Sequence, residues 1–339
     1  MKTKYYLLIV LMIAFLFVGA CGSQGGDSEA PVSLNLGTHP SGSMIHTIGV
    51  SLASVAANNN MTIHVSPYGG PSQWLPEMKD GLVHVGIESS HGTRWAYEGQ
   101  HTYSEPNDFI RIVSAGVYPI YNGLLVKDNS DIDSVEDLIG KRVATGFGSQ
   151  IASHMLTTAA LATGGVKESD IVSVPVTSIS DAIELFRDGA IDVVALPSSS
   201  PDVQDLDAGV GVRYLHLANT PEAIAAVQEI LPGATVLPVK PGTAALDRET
   251  NLVANYFMLL GSKDVPDETI NNLLQAWWDN VAQLQETHPA MRNWINEGQV
   301  PKDPSQITAP YHPGSISFYK EKGLWTDAHD ARQEELLSK

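Results

Sequence analysis

The chain has 339 residues, of which 43% are hydrophobic and 17% charged, and its formal net charge is −18. This balance is that of a globular protein rather than a disordered one, and the chain is long enough to bury a large core. So acidic a chain, without a basic patch in its sequence, is not expected to bind nucleic acid or an anionic membrane surface through its general field.

The first residues have the three-part layout of a secretory signal peptide. Lys2 and Lys4 give a positive start, the apolar run Tyr5–Val18 is too short to span a bilayer comfortably, and small residues follow. Residues 1–20 are therefore expected to be removed on export and to take no part in the fold.

The only cysteine of the chain, Cys21, stands where a lipid anchor needs it. The tetrad Val18-Gly19-Ala20-Cys21 resembles a bacterial lipobox, in which small residues fit a peptidase pocket and the thiol is lipidated. An ordinary signal peptide with an incidental cysteine is the alternative. The lipobox predicts an exported chain whose membrane contact is through the lipid on Cys21 only, with residues 21–31 as a flexible tether.

Apolar, β-rich runs alternate with helical stretches along the first part of the mature chain. Ile45, Ile48, Leu52 and Val55 recur at helical spacing and predict a helix over 44–59. Strands are predicted at 32–38, 61–70 and 82–90, and a second helix at 72–81. This βαβαβ order predicts a parallel sheet.

The same order recurs further along the chain. Strands are predicted at 123–128, 141–149, 170–176 and 190–200, and helices at 134–140, 149–165 and 179–189. Residues 80–90 and 188–200 both run Asp-Gly, then an apolar strand, then serines. We interpret this similarity as two related α/β lobes rather than as a short repeat period.

The C-terminal part is more helical. A strand is predicted at 256–262, one long amphipathic helix at 267–288, and a capped short helix with a tail at 312–325. Two α/β lobes and a helical tail on an exported chain predict a bilobed solute receptor. In open α/β sheets ligands bind at the carboxyl ends of the strands, and a cleft between domains is a common ligand site.

Two strand–glycine–serine–helix junctions, one in each lobe, are candidates for holding an anion. Ser41, Gly42 and Ser43 open the first long helix, and Gly148 and Ser149 open a helix of the second lobe. Free backbone N–H groups and the helix dipole favour a negative charge at such starts. A serine N-cap with a glycine turn explains each junction alone, but the pair favours a small carboxylate held between them. The predicted ligand-binding residues are His39, Ser41, Gly42, Ser43, Gln73, Ser89, Ser90, Gly148, Ser149, Gln150 and Ser198.

Enzyme motifs find little support in the sequence. No G-x-S-x-G elbow is present, and Ile151 stands at the third glycine of the G-x-G-x-x-G pattern that starts at Gly146. His84, Glu88 and His91 lie close in the chain, but alternation along a strand does not place all three on one face as metal ligands. We predict no catalytic residue, no cofactor and no metal. A lipoprotein enzyme acting on an exported small molecule is the rival hypothesis.

Three stretches resemble the TAXI group of solute receptors for TRAP transporters, and the resemblance covers nearly all of the mature chain. They are residues 37–49, "SVEDLIGKRVATGFGS" at 134–149 and "HPGSISFYKEKGLW" at 312–325. The chain departs from the group at Ser43, where Gly-Gly is common. It also departs at Ile45 and His46, which replace a tyrosine pair that commonly helps to line the ligand site.

The resemblance implies a two-lobed type II periplasmic-binding-protein fold of the α/β class, with the ligand cleft between the lobes and a helical C-terminal tail. We assign residues 32–125 and 237–339 to lobe I and residues 126–236 to lobe II. The implied function is that of an exported receptor at the periplasmic or cell-surface face. It binds a small organic acid or amino acid and delivers it to a TRAP-type permease driven by an ion gradient. A receptor for an ABC importer or a sensor kinase is the alternative.

Overall fold

The computed structural model describes residues 32–101, 103–147, 151–288, 291–292 and 294–338, without the side chains of residues 117, 118 and 151. Cys21 and the predicted signal peptide lie outside these residues. Residues Ser33–Lys339 form one compact unit. Within the described part, no helix combines the length and the apolar character needed to cross a bilayer.

The described residues contain ten strands. They are β1 Val32–Thr38, β2 Met61–Pro67, β3 Val85–Ser89, β4 Ile110–Lys127, β5 Arg142–Thr145, β6 Val172–Pro175, β7 Val194–Pro197, β8 Val212–Tyr214, β9 Thr235–Val239 and β10 Thr250–Ser262.

Eleven α-helices accompany these strands in the described residues. They are α1 Met44–Ala56, α2 Pro71–Lys79, α3 Ser90–Glu98, α4 Ile151–Ala162, α5 Ile179–Arg187, α6 Pro201–Val210, α7 Pro221–Ile230, α8 Asp267–Asp279, α9 Val281–Thr287, α10 Pro313–Glu321 and α11 Asp327–Leu337. The short helix predicted at 134–140 is a single 3₁₀ turn, Glu136–Leu138.

The strands form a central sheet in the order β2-β1-β3-β10-β4-β7, with β8 also paired to β4 and β9 to β10. β1 and β3 are parallel, as predicted, but β10 runs antiparallel to both β3 and β4. The sheet is therefore mixed, and the expectation of a parallel sheet is only partly right. A second sheet pairs β5 with β6 in parallel. The mixed α/β fold class is confirmed.

The two long strands β4 and β10 extend well beyond the segments predicted for them at 123–128 and 256–262. They pair along most of their length, from Val253 opposite Asn122 to Ser262 opposite Ile110. Within this pair the Asn122 amide donates to the Asn255 side-chain oxygen at 2.9 Å, and both side chains are buried. β4 continues through the lobe boundary assigned at 125–126, and β9 through that at 236–237. The boundaries stay a prediction.

The single helix predicted over 267–288 is two helices, α8 and α9, separated at Asn280. The backbone of Asn280 has left the helical conformation, with φ −117° and ψ 28°. Its side-chain amide donates to the Ala276 carbonyl at 2.8 Å. Asparagine competes for backbone hydrogen bonds in this way and so favours a helix end over a helix interior. The predicted apolar stripe is nevertheless buried on both sides of the break, as Trp277 and Leu284 show.

Alternate residues of the central strands face two different hydrophobic cores. Leu124 and Val126 of β4 belong to one core, which also contains Val253 of β10. Leu125 of β4 and Leu252 of β10 belong to the other. Because side chains alternate across a strand, one pair of strands supplies both cores.

The C-terminal segment approaches β4 closely at Gly116. This glycine has a φ of +70°, and a Cβ at its position would collide with the backbone carbonyl oxygen of Gly298. Next to it, the Ala115 N–H donates to the Gln299 carbonyl at 2.9 Å, and the Ser114 hydroxyl donates to the Gln299 side chain. Gly116 is thus required both by its own conformation and by its backbone neighbour.

We predict that Gly116→Ala destabilises the protein more than Gly140→Ala does. Gly140 also has a positive φ, +74°, but a Cβ there would meet no atom within 4 Å. Gly140→Ala should therefore show the backbone strain alone, about 1–2 kcal/mol. Gly116→Ala should lose about 1–3 kcal/mol more, because the backbone of Gly298 must move. Urea unfolding of both variants measures the difference, and equal losses would show that residues 298–299 are held only loosely on β4.

Candidate ligand-binding site

The carboxyl ends of β1 and β3 lie side by side, because these strands are parallel with Gly37 opposite Gly86. The fully buried Trp74 of α2 lies across both glycines. A Cβ at Gly37 or Gly86 would stand 2.8 or 2.6 Å from its ring atoms. The two glycines thus let α2 pack against the strands, and the residues that follow each strand meet at one edge of the sheet.

This arrangement brings His39, which follows β1, next to Glu88 near the end of β3. The His39 Nε2 atom lies 3.9 Å from the nearer Glu88 carboxylate oxygen, which is too long for a hydrogen bond. Glu88 is only 8% exposed. Among the described residues no Lys or Arg side chain forms an ion pair with it. Arg94, the arginine nearest in sequence, instead binds Glu98 on its own helix at 3.0 Å.

Ser89 links Glu88 to the start of α3. Its hydroxyl donates to the Glu88 carboxylate at 2.6 Å and accepts from the Gly92 N–H at 3.1 Å, so Ser89 is the N-cap of the helix. The His91 Nε2 atom lies 3.2 Å from the same hydroxyl oxygen. Since the one hydroxyl hydrogen points to Glu88, His91 must donate from Nε2 in this contact, and its Nδ1 atom is left as an acceptor.

Three buried polar atoms around this junction have no hydrogen-bond partner in the described part of the chain. They are His39 Nε2, Ser90 Oγ and His91 Nδ1. Ser90 is fully buried and His91 is 4% exposed. Buried polar atoms in folded proteins are nearly always hydrogen-bonded. Three unpartnered atoms at the adjacent ends of β1 and β3 therefore favour a site that bonds to a group from outside the chain.

Burial sets the protonation of the site. It lowers the pKa of His91 to about 4, against a smaller opposing effect of the Glu88 charge. Burial also raises the pKa of the Tyr103 hydroxyl, and the Glu88 charge raises it further. At neutral pH His91 is therefore a neutral imidazole, and the Tyr103 hydroxyl stays protonated.

The start of α1 confirms the N-cap interpretation for Ser43. Its hydroxyl accepts from the His46 N–H at 3.1 Å. Ser41 and Gly42 are exposed, and Gly42 turns the chain with a φ of +86°. Thr38, at the end of β1, is buried with its hydroxyl 3.0 Å from His46 Nδ1. Ser41, Gly42 and Ser43 thus remain predictions as ligand contacts.

The other predicted residues lie apart from this cluster or outside the described residues. Gln73 is exposed, and its side-chain oxygen accepts from the Gly69 N–H at 2.7 Å. Ser198 follows β7 and donates its backbone N–H to the Tyr121 carbonyl at 2.8 Å. Residues 148–150, which contain Gly148, Ser149 and Gln150, are not among those described. Of the predicted set, the structure brings together His39, Ser89 and Ser90.

Sequence reasoning did not select Glu88 and His91 as ligand-binding residues. Both lie close to His84 in the chain, and alternation along the strand argues only against a metal site there. No group of three His, Cys, Asp or Glu side chains among the described residues could hold a metal ion. The available signal was the order Glu88-Ser89-Ser90-His91 at a strand end, where four polar side chains follow an apolar strand.

The sequence model of the NMT1-like family matches residues 36–323. The chain belongs to the NMT1-like family. The match includes all strands of the central sheet except the start of β1, and it includes the junction at Glu88.

Two solved structures share the fold. A TctC solute binding protein from Polaromonas is 13% identical over 80% of this chain and 89% of its own, with a TM-score of 0.54. A putative sulfonate ABC transporter, periplasmic sulfonate-binding protein SsuA, from Methylobacillus flagellatus KT is 14% identical over 90% of this chain and 92% of its own, with a TM-score of 0.51. At these identities the likeness shows that this chain has the fold of solute-binding proteins.

We predict that His91 makes the protein less stable as the pH falls. Its pKa is about 4 in the folded chain and about 6.5 when exposed. Between these values the unfolded chain takes up a proton that the folded chain does not, so the free energy of unfolding decreases with falling pH. From pH 7.5 to pH 5 the contribution is about 2 kcal/mol.

Urea unfolding at pH 7.5 and pH 5 measures this contribution when the parent is compared with His91→Gln, which should lose less stability than the parent over the same range. His64→Gln is the matched control, because His64 is exposed on β2. A His91→Gln variant that keeps the full pH dependence of the parent would show that His91 is not held neutral by burial.

Proposed function

We propose that this chain is an extracytoplasmic solute receptor that binds a small carboxylate or amino acid at the ends of β1 and β3. The observation that carries the proposal is the set of three buried, unpartnered polar atoms on His39, Ser90 and His91. Membership of the NMT1-like family and the fold shared with solute-binding proteins support a receptor over an enzyme.

The polarity of the cluster supports an amino acid over a plain carboxylate. Glu88 and the Nδ1 atom of His91 are both acceptors, and no Lys or Arg side chain in the described part of the chain forms an ion pair with Glu88. They match the ammonium group of a ligand. The starts of α1 and α3 supply backbone N–H groups, which match a carboxylate. The hydroxyl of Ser90 can serve either group.

The proposed partner is a TRAP-type permease driven by an ion gradient. The support is the resemblance of residues 37–49, 134–149 and 312–325 to the TAXI group of TRAP receptors. A second candidate is an ABC importer, which is favoured by the structural likeness to a protein described as part of a sulfonate ABC transporter. The proposed location is the outer face of a membrane, to which acyl chains on Cys21 tether the receptor.

We predict that Ser90→Ala weakens solute binding without destabilising the protein. The Ser90 hydroxyl has no partner among the described residues, so its removal breaks no bond in the protein, whereas a bond to a charged solute group is lost. The expected loss of affinity is about tenfold or more. A thermal-shift screen of carboxylates and amino acids identifies a binding solute, because a ligand stabilises the state that it binds. Calorimetric titration of parent and variant then gives the two affinities.

Ser89→Ala is the matched control for stability. Its hydroxyl is the N-cap of α3 and is bonded to Glu88, so its loss should lower the free energy of unfolding by about 1–2 kcal/mol. If Ser90→Ala melts at the parent temperature and binds the solute as tightly as the parent, the proposed site is wrong.

For the permease, we predict that uptake of the identified solute depends on an ion gradient. In cells that carry this gene and its permease, deletion of the gene should abolish uptake of the radiolabelled solute. An ionophore that collapses the sodium or proton gradient should stop uptake in the parent cells, and depletion of ATP with the gradient maintained should not. The reverse result would identify the permease as an ABC importer.

A further inference from the structure

A cavity of about 610 Å³ lies over the central strands β4 and β10, and none of the predicted ligand-binding residues lines it. Pro119 and Tyr256 stand opposite each other in the pairing of these strands, so their side chains share one face of the sheet. Tyr121 and Met258 lie two residues further along each strand and share that face. These four side chains form the floor of the cavity.

The walls come from the turn and strand at 233–239, from Arg292 and from the segment 294–306. The Gln299 contacts to β4 hold this segment at one side. At the other side, the Thr308 hydroxyl lies 3.7 Å from the Met258 sulfur. A Cβ at Gly233 would meet Thr308 and Ser90 at 2.7 and 2.9 Å. Gly233 therefore lies between the cavity and the proposed solute site at His39, Ser90 and His91. A volume of this size is typical of small-molecule sites.

Two hydroxyl groups in the cavity make no hydrogen bond with any described residue. Thr235 is only 6% exposed, and its side chain lines the cavity wall. Tyr256 lies on the floor. Burial raises the pKa of Tyr256, and the neighbouring Tyr121 raises it further, so this hydroxyl stays protonated as a donor. Polar groups so placed, among apolar neighbours such as Leu237 and Val300, are the usual means by which a pocket orients a ligand.

The rim of the cavity carries charges of both signs. Arg292 and Lys302 are exposed and form no ion pair within the described chain, and neither does Glu297. Asp303 also lies at the rim, where its carboxylate accepts from the Ser305 N–H at 2.9 Å. A ligand with one positive and one negative group fits this rim better than a ligand of a single charge.

We infer that this cavity is a second binding site, for a short apolar peptide with free termini. The carboxylate of the peptide meets Arg292 or Lys302, and its ammonium group meets Glu297. The peptide bond offers acceptors and donors to the hydroxyls of Thr235 and Tyr256, and the apolar side chains lie on the floor. The volume accommodates two or three residues. This site is independent of the solute site at Ser90.

The test is calorimetric titration of the full chain with the dipeptide L-leucyl-L-phenylalanine. We expect a dissociation constant below about 1 mM. N-acetylation of the peptide removes its positive charge, and amidation of its carboxyl group removes its negative charge. Each blocked peptide should bind at least tenfold more weakly. Absence of binding by the free dipeptide at millimolar concentration, or equal binding by the blocked forms, would overturn the proposal.

Substitutions then place the site. Thr235→Val preserves shape and removes the hydroxyl, and Tyr256→Phe does the same on the floor, so each should weaken dipeptide binding about fivefold to tenfold. Thr157→Val is the matched control, because Thr157 is also buried but lies on α4 outside the cavity. Melting temperatures verify that each variant is folded.

Two outcomes keep this proposal distinct from the solute receptor. If Ser90→Ala and not Thr235→Val weakens dipeptide binding, the peptide occupies the solute site and the second site is refuted. If both cavity variants bind the dipeptide as the parent does, the cavity is refuted while the solute site at Ser90 is unaffected.

Discussion

The pairing of β10 with both β3 and β4 is the constraint on which the rest of the structure depends. β10 hydrogen-bonds to β3 on one edge and to β4 on the other, and it continues past β3 to pair with β9. It thereby joins the strand ends that carry the polar cluster to the strands that carry both hydrophobic cores. The buried hydrogen bond between Asn122 and Asn255 favours one register at the Asn122 end of the β4–β10 pairing, because an unpaired amide there would be costly.

The polar cluster at the end of β3 combines structural and chemical roles in adjacent residues. The Ser89 hydroxyl accepts from one free N–H group at the start of α3, that of Gly92, and donates to one oxygen of Glu88, and it also sets which nitrogen of His91 carries the proton. The hydroxyl of Ser90 and the Nδ1 atom of His91 make no hydrogen bond within the described chain. Ser89 therefore orients Glu88 and His91, and the hydroxyl of Ser90 remains available to a bound ligand. Supporting hydrogen bonds of this kind hold polar side chains in a fixed orientation while some of their donor and acceptor atoms stay free to bind a ligand.

The local parts of the fold were predictable from the sequence, because their signals are local. The apolar spacing of Ile45, Ile48 and Leu52 places α1 correctly and identifies its buried face, and the Ser43 cap follows from its position. The fold class also follows from the alternation of strands and helices. The length of β4 and the position of β10 do not, because strand partners far apart in the chain leave no periodic signal.

The candidate site was predictable only in part, for a related reason. Periodicity assigns side chains to faces, so it could select serines at helix starts but could not show that His39 lies next to Glu88. That contact depends on the pairing of β1 with β3 and on the packing of Trp74 over two glycines. The hydrogen-bond partners that distinguish Ser89 from Ser90, and the tautomer of His91, can be assigned only when the positions of all neighbouring residues are known. For the same reason nothing local in residues 294–306 indicates that they line a cavity together with Tyr121 and Tyr256.

The position of β10 between β3 and β4 has a consequence for the order of folding. β3 and β4 follow one another in the chain but are not neighbours in the sheet, and Asn122 and Asn255 are 133 positions apart. Until β10 has been synthesised, the facing edges of β3 and β4 leave their backbone N–H and C=O groups unpaired. Such long-range pairing forms slowly, and the exposed edges are sites of misassociation in the interval. The central sheet therefore cannot close between β3 and β4 until β10, the last strand in the described part of the chain, is available.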